Sequence, residues 1–144
     1  MFSRIMVPID LTHTEKLTKA LDTAKVLAQA GGGTIILVGV TSTAPGAAAH
    51  TPEEFSKKLS AFGSEYAERS GCHVETSSFV ANDPATDLHK TLIDASGKLV
   101  DASGKLDVDL IVMASHVPGL PEHIFSSNAG SVASHAGISV LVVR

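Results

Sequence analysis

Strand and helix signals alternate along all 144 residues, which predicts an α/β fold: a parallel sheet with helices on both faces. Two observations carry this. The strand-sized apolar runs are nearly continuous, as in strands covered on both sides, rather than alternating with polar residues. Between them lie segments whose apolar residues recur at three- and four-residue steps, the period of an amphipathic helix. The length fits one domain, taken as residues 1–144.

The first strand reads from Arg4 to Asp10, with Pro8 and Asp10 marking its exit. From Thr14 to Ala30, the residues Leu17, Ala20, Leu21, Ala24, Leu27 and Ala28 form one helical face, with Thr12 or Thr14 as N-cap. Gly31-Gly32-Gly33 stops that helix, and the second strand runs from Thr34 to Val40. The small, polar segment from Thr41 to His50, with Pro45 and Gly46, is expected to be a mobile loop. Thr51-Pro52-Glu53-Glu54 supplies an N-cap, a first-turn proline and early acids, predicting a helix to about Arg69. The third strand runs from His73 to Val80. Asn82-Asp83-Pro84 then turns into a helix beginning near Ala85, with Leu88, Leu92, Ile93 and Leu99 available to the core. The fourth strand runs from Val108 to Met113, a short helix from Ser127 to Ala136, and the fifth strand from Ile138 to Val143.

Within this order, Asp94-Ala95-Ser96-Gly97-Lys98-Leu99 recurs seven residues later as Asp101-Ala102-Ser103-Gly104-Lys105-Leu106. A seven-residue insertion rotates a helical face by only ~20°. Each copy also carries a glycine, which costs about 1 kcal/mol inside a helix. A continuous long helix and a break near Gly97 or Gly104 both stay open.

Composition narrows the function. Aromatics make up 4% with no Trp, which argues against a base-stacking surface, and the net charge of −4 argues against a nonspecific grip on nucleic acid or anionic membrane. No apolar run approaches the ~20 residues of a membrane span, so a soluble protein is expected. The single cysteine, Cys72, makes no internal disulfide, and with no CxxC or Cys/His cluster the chain fits a reducing, cytoplasmic setting. The seven histidines show no HxxxH spacing, and no metal site or Gly-x-Ser-x-Gly elbow emerges. No catalytic residue is assigned. Ser127 reads as a helix N-cap rather than a nucleophile.

In an open parallel sheet, ligands bind beyond the carboxyl ends of the strands where the strand order reverses. The candidate site is therefore residues 9–12, 38–41 and 114–128.

Four pieces carry a resemblance: Val7-Pro8-Ile9-Asp10, then Asn82-Asp83-Pro84-Ala85, then Asp109-Leu110-Ile111-Val112-Met113-Ala114-Ser115-His116, then His135-Ala136 before Ser139-Val140-Leu141-Val142-Val143. In order and spacing, over essentially the whole chain, they resemble the universal stress protein family. The resemblance implies a five-stranded sheet of order 3-2-1-4-5 of the adenine-nucleotide α-hydrolase-like kind. It also implies a homodimer joined through the last strand, Val140 to Val143. An apolar edge there is one that antiparallel pairing across a two-fold would cover.

The nucleotide-binding branch of that family carries Gly-x-x-Gly and, further on, Gly-Ser or Gly-Thr at a helix start, where glycines let backbone amides approach phosphate. Here Ala114 and Val117 stand for the first two glycines. Taking Gly130-Ser131 as the helix start would leave about one turn before His135-Ala136, so Ser126-Ser127 is read as the start and Ser126 stands for the third glycine. Val117, β-branched and followed by Pro118, resists positive φ. No Lys or Arg lies between Lys105 and Arg144, and Glu122 falls within the loop. A triphosphate there would rely on backbone amides, Ser126, Ser127 and a metal ion.

The resemblance thus assigns nucleotide contacts to Pro8, Ile9, Asp10, Val38, Val40, Met113, Ala114, His116, Val117, Ser126, Ser127 and Asn128. The cofactor would be ATP or AMP, with Mg²⁺ as accompanying ion. The leading expectation is a cytoplasmic dimer that binds an adenine nucleotide weakly as a stress-response regulator. The alternatives are a dimeric protein-interaction module with a degenerate phosphate loop and, last, a slow ATPase.

Overall fold

The computed structural model describes residues 1–83, 87, 90–94, 106–115 and 128–144. Strands β1 (Arg4–Pro8), β2 (Thr34–Thr41), β3 (His73–Val80), β4 (Leu110–Ala114) and β5 (Ser139–Val143) form one parallel sheet in the order β3-β2-β1-β4-β5. The expected order is the observed one.

The two-residue period of each strand divides the core into two layers. Ile5, Val7, Ile35, Leu37, Leu110 and Val112 pack on one face with helices α1 (Thr18–Gly31) and α2 (Pro52–Ser70). Met6, Ile36, Val38, Ile111 and Met113 pack on the other face with Leu92 and with Ala129 and Val132 of α3 (Asn128–His135). These strands bury both sets of side chains, so their sequences read as unbroken apolar runs. Among the described residues no helix is long and apolar enough to cross a membrane.

Several boundaries differ from the sequence reading. β1 ends at Pro8, although the Ile9 N–H still donates to the Val38 carbonyl at 2.8 Å before the chain leaves the sheet. The first helix opens as a 3-10 turn (Thr14–Leu17), and neither Thr12 nor Thr14 caps it with a side chain. Gly32 ends α1 in the left-handed region, φ 66°, where a side chain would be strained. β4 begins at Leu110 rather than Val108, after Asp107 turns the chain at φ 48°. Residues 95–105 of the duplicated segment, Leu99 among them, and Leu88 lie outside the described residues.

The loop after β2 is tied to α2 by hydrogen bonds. Ala49 is buried, and the Gly46 N–H donates to its carbonyl at 2.9 Å. From α2, the Lys58 ammonium donates to the Ala48 carbonyl at 2.7 Å and pairs with Glu54 at 2.9 Å. Thr51 caps α2 by accepting from the Glu54 N–H at 3.1 Å, while the Glu54 carboxylate accepts from the His50 N–H at 2.9 Å. That bond first, and Lys58 second, pull the Glu54 carboxyl down to about 2.

Candidate functional site

A cavity of about 230 Å³ opens at the carboxyl ends of β1 and β2. Residues 9–12 line it on one side and residues 40–42 on another. The fastened loop (Ala44 and residues 46–49) forms a wall, with Phe55 of α2 beneath. Gly39 makes room for that ring: a Cβ there would lie 2.5 Å from the Phe55 edge.

Backbone direction matters here. In a parallel strand, the N–H and C=O of one residue point to the same side, and the next residue's to the other. The Val38 carbonyl faces β1, where it takes the Ile9 N–H, and the Thr41 carbonyl faces β3, where it takes the Ala81 N–H at 2.8 Å. Val40 shares the parity of Val38, so its peptide groups face the β1 side beyond the point where β1 has ended. That aims a donor and an acceptor at the cavity, a way for backbone to read the edge of a flat polar ring.

Asp10 is the buried charge of the site, 8% exposed. Its Oδ1 accepts from the Thr12 N–H at 3.0 Å and the Thr12 hydroxyl at 2.6 Å, and its Oδ2 lies 3.0 Å from His13 Nδ1. Burial pushes this carboxyl up, but the bonds from Thr12 and His13 outweigh burial and hold it below the usual carboxylate range. Asp10 is therefore an anion at neutral pH.

Of the residues assigned by resemblance, Ile9, Asp10 and Val40 meet in this cavity. Pro8 is buried at the end of β1, and Val38 and Met113 send their side chains into the core on the opposite face to α1. Ala114 ends β4, half-buried. Asn128 is the first residue of α3, and Gly130 and Ser131 lie inside that helix rather than at its start. His116, Val117, Ser126 and Ser127 lie outside the described residues.

The sequence reading missed Thr12 and His13 as partners of Asp10, and the alanine wall. Asp-x-Thr is the signature of a turn in which the aspartate accepts the N–H two residues on, and it was the available signal for Thr12. The wall had none, because small residues with Pro and Gly signal only a loop. Among the described residues, no group of three or more His, Cys, Asp or Glu side chains is placed to hold a metal ion.

An open parallel sheet whose order reverses between β1 and β4 defines a doubly wound α/β protein, and the cavity lies beside that point, at the carboxyl ends of β1 and β2. The profile of the universal stress protein family matches residues 1–144, and the chain belongs to that family. It is 28% identical over 146 residues to Universal stress protein G of Salmonella typhimurium, covering 100% of both chains. A universal stress protein solved in complex with cAMP superposes with a TM-score of 0.65 at 16% identity, covering 99% of this chain and 97% of the other. The universal stress protein from Archaeoglobus fulgidus in complex with dAMP superposes at 0.62 with 19% identity, covering 99% and 98%.

Proposed function

We propose that this chain binds an adenine nucleotide, ATP or AMP, at the carboxyl edge of β1 and β2, and acts through that binding as a cytoplasmic stress-response regulator. The observation that carries the reading is the cavity lined by buried Asp10 and by Val40 at the end of β2. A carboxylate accepts from a ribose hydroxyl or an adenine amino group, and a strand-end peptide offers one donor and one acceptor to a base edge. Relatives of the same fold solved with cAMP and dAMP support the ligand class. The residues assigned from Ala114 to Asn128 would complete the phosphate end, with Mg²⁺ accompanying a triphosphate.

The working form is a homodimer through the last strand, Val140 to Val143. β5 is an edge strand on which Leu141 is 38% exposed and Val142 37%, apolar surface that a second copy would cover. A second reading, a dimeric interaction module without nucleotide, is favoured by one feature: both oxygens of Asp10 already serve the protein's own donors.

Isothermal titration of ATP and AMP, with Mg²⁺, into folded protein separates the two. Micromolar heat supports nucleotide binding, and the ATP-to-AMP ratio reads the contribution of the phosphate end. No heat and no thermal shift up to millimolar ligand removes the nucleotide reading and leaves the interaction module.

A further inference from the structure

Asp10, Thr12 and His13 form a closed triangle of hydrogen bonds, and its geometry fixes the role of each group. A carboxylate has about four acceptor positions. Thr12 fills two of them on Oδ1, through its N–H at 3.0 Å and its hydroxyl at 2.6 Å. The hydroxyl proton is committed to Oδ1, so the Thr12 oxygen, 2.9 Å from His13 Nδ1, is an acceptor towards the ring. Oδ2, at 3.0 Å from the same nitrogen, is also an acceptor. Nδ1 therefore carries a hydrogen in either charge state of the imidazole, and directs it at Oδ2 and the Thr12 oxygen.

The ring is held from its backbone as well. The His13 N–H donates to the Asp10 carbonyl at 3.1 Å, and the His13 carbonyl accepts from the Lys16 N–H at 3.1 Å. The clasp is thus built into the turn that connects β1 to the first helix, and it reaches the cavity through Asp10 and Thr12.

We infer that Thr12 and His13 are positioning residues for ligand recognition: they hold Asp10 as an oriented anion with a single acceptor direction left, on Oδ2. The ligand part of this inference rests on the nucleotide reading above. A carboxylate with both oxygens open can grip a pair of donors, such as two vicinal hydroxyls, with two bonds. Asp10 cannot, because Oδ1 is full. The site selects a ligand that offers one O–H or N–H donor to Asp10 and keeps phosphate oxygens away from it.

The test uses the full chain and four substitutions. Thr12→Val and His13→Leu remove a donor, whereas Thr12→Ser and His13→Asn keep one at nearly the same place. Circular dichroism checks that each variant folds. Two quantities are then read: the titration of the Asp10 carboxyl by carbon-detected NMR, and the affinity for AMP. The expected result is that Asp10 titrates at higher pH in Thr12→Val and His13→Leu than in the natural chain, and not in the two conservative variants. AMP affinity should fall by about tenfold or more in the first pair and stay within about threefold in the second. An unmoved Asp10 titration in Thr12→Val and His13→Leu overturns the clasp, whatever the affinity does. A shifted titration with unchanged affinity overturns the positioning role. A shifted titration in a protein that binds no AMP at any concentration upholds the clasp and removes the nucleotide reading instead.

Discussion

At the amino edge of the sheet, the Asp109 carboxylate accepts the Ser3 N–H at 2.9 Å, the Ser3 hydroxyl at 2.8 Å and the Arg4 N–H at 3.1 Å. At the carboxyl edge, Asp10 also takes three bonds, two from Thr12 and one from His13. In both, burial raises the carboxyl and the donors more than compensate, so both stay below the usual range. The difference lies in where the donors come from. Those of Asp109 lie more than a hundred residues away and tie the start of β1 to the start of β4. Those of Asp10 lie two and three residues on, so they fix a side chain without tying strands together. The same chemistry ties two strands at one edge and fixes the orientation of a single side chain at the other.

The comparison breaks most sharply on function. Asp10→Ala should abolish adenine nucleotide binding, a loss of about a hundredfold or more by calorimetry, with the circular dichroism spectrum unchanged. Removing Asp10 frees only local donors at a turn next to solvent, so the stability cost should be modest, about 1 kcal/mol. Unchanged affinity in this variant would show that the cavity at β1 and β2 is not the site.

Asp109→Ala should do the reverse. It removes the charged acceptor of two backbone N–H groups at the start of β1, which costs about 1–3 kcal/mol in urea unfolding. Affinity measured on the remaining folded protein should stay within about twofold, because Asp109 lies at the far end of the strands from the cavity. Loss of binding alongside intact stability would overturn the assignment of Asp109 to the fold.

The same contrast explains what was legible in the sequence. The strands were, because each buries both faces and so appears as an unbroken run such as Thr34-Ile35-Ile36-Leu37-Val38. The place of Asp10 in the cavity was, because it follows the end of the first strand, at the carboxyl edge of the sheet. Thr12 was misread because a threonine between a strand and a helix suits an Asx turn and an N-cap equally, and only the 3-10 opening of the helix decides between them. The wall at residues 44–49 was legible only as a loop because Lys58, which holds the Ala48 carbonyl, sits ten residues away on α2, beyond the reach of any local signal. The β4 boundary slipped because the sequence of Val108 is apolar and buried, while the turn at Asp107 depends on a backbone angle that composition does not announce.

The smallest expected effect is on pH dependence, and its sign follows from the three depressed carboxyls among the described residues. Asp10, Asp109 and Glu54 hold their protons less tightly in the folded chain than in the unfolded one. The unfolded state therefore binds more protons as acid is added, and stability falls with pH. Their contribution is full above the unfolded carboxylate values near ~4 and is lost as pH drops through the folded values. For Glu54 that window reaches down to about 2. Urea unfolding from pH 7 to pH 2 should therefore show no loss from these groups until about pH 5, then a decline. Asp109→Asn should start less stable and decline less steeply, because a group that cannot titrate removes its share of the slope. Asp10→Asn should flatten the same limb while also losing nucleotide affinity, so that the two edges differ in what the ligand feels and agree in what the proton feels. An acid limb as steep in Asp109→Asn as in the natural chain would mean that Asp109 is not held below its ordinary value, and the likeness between the two edges would fail.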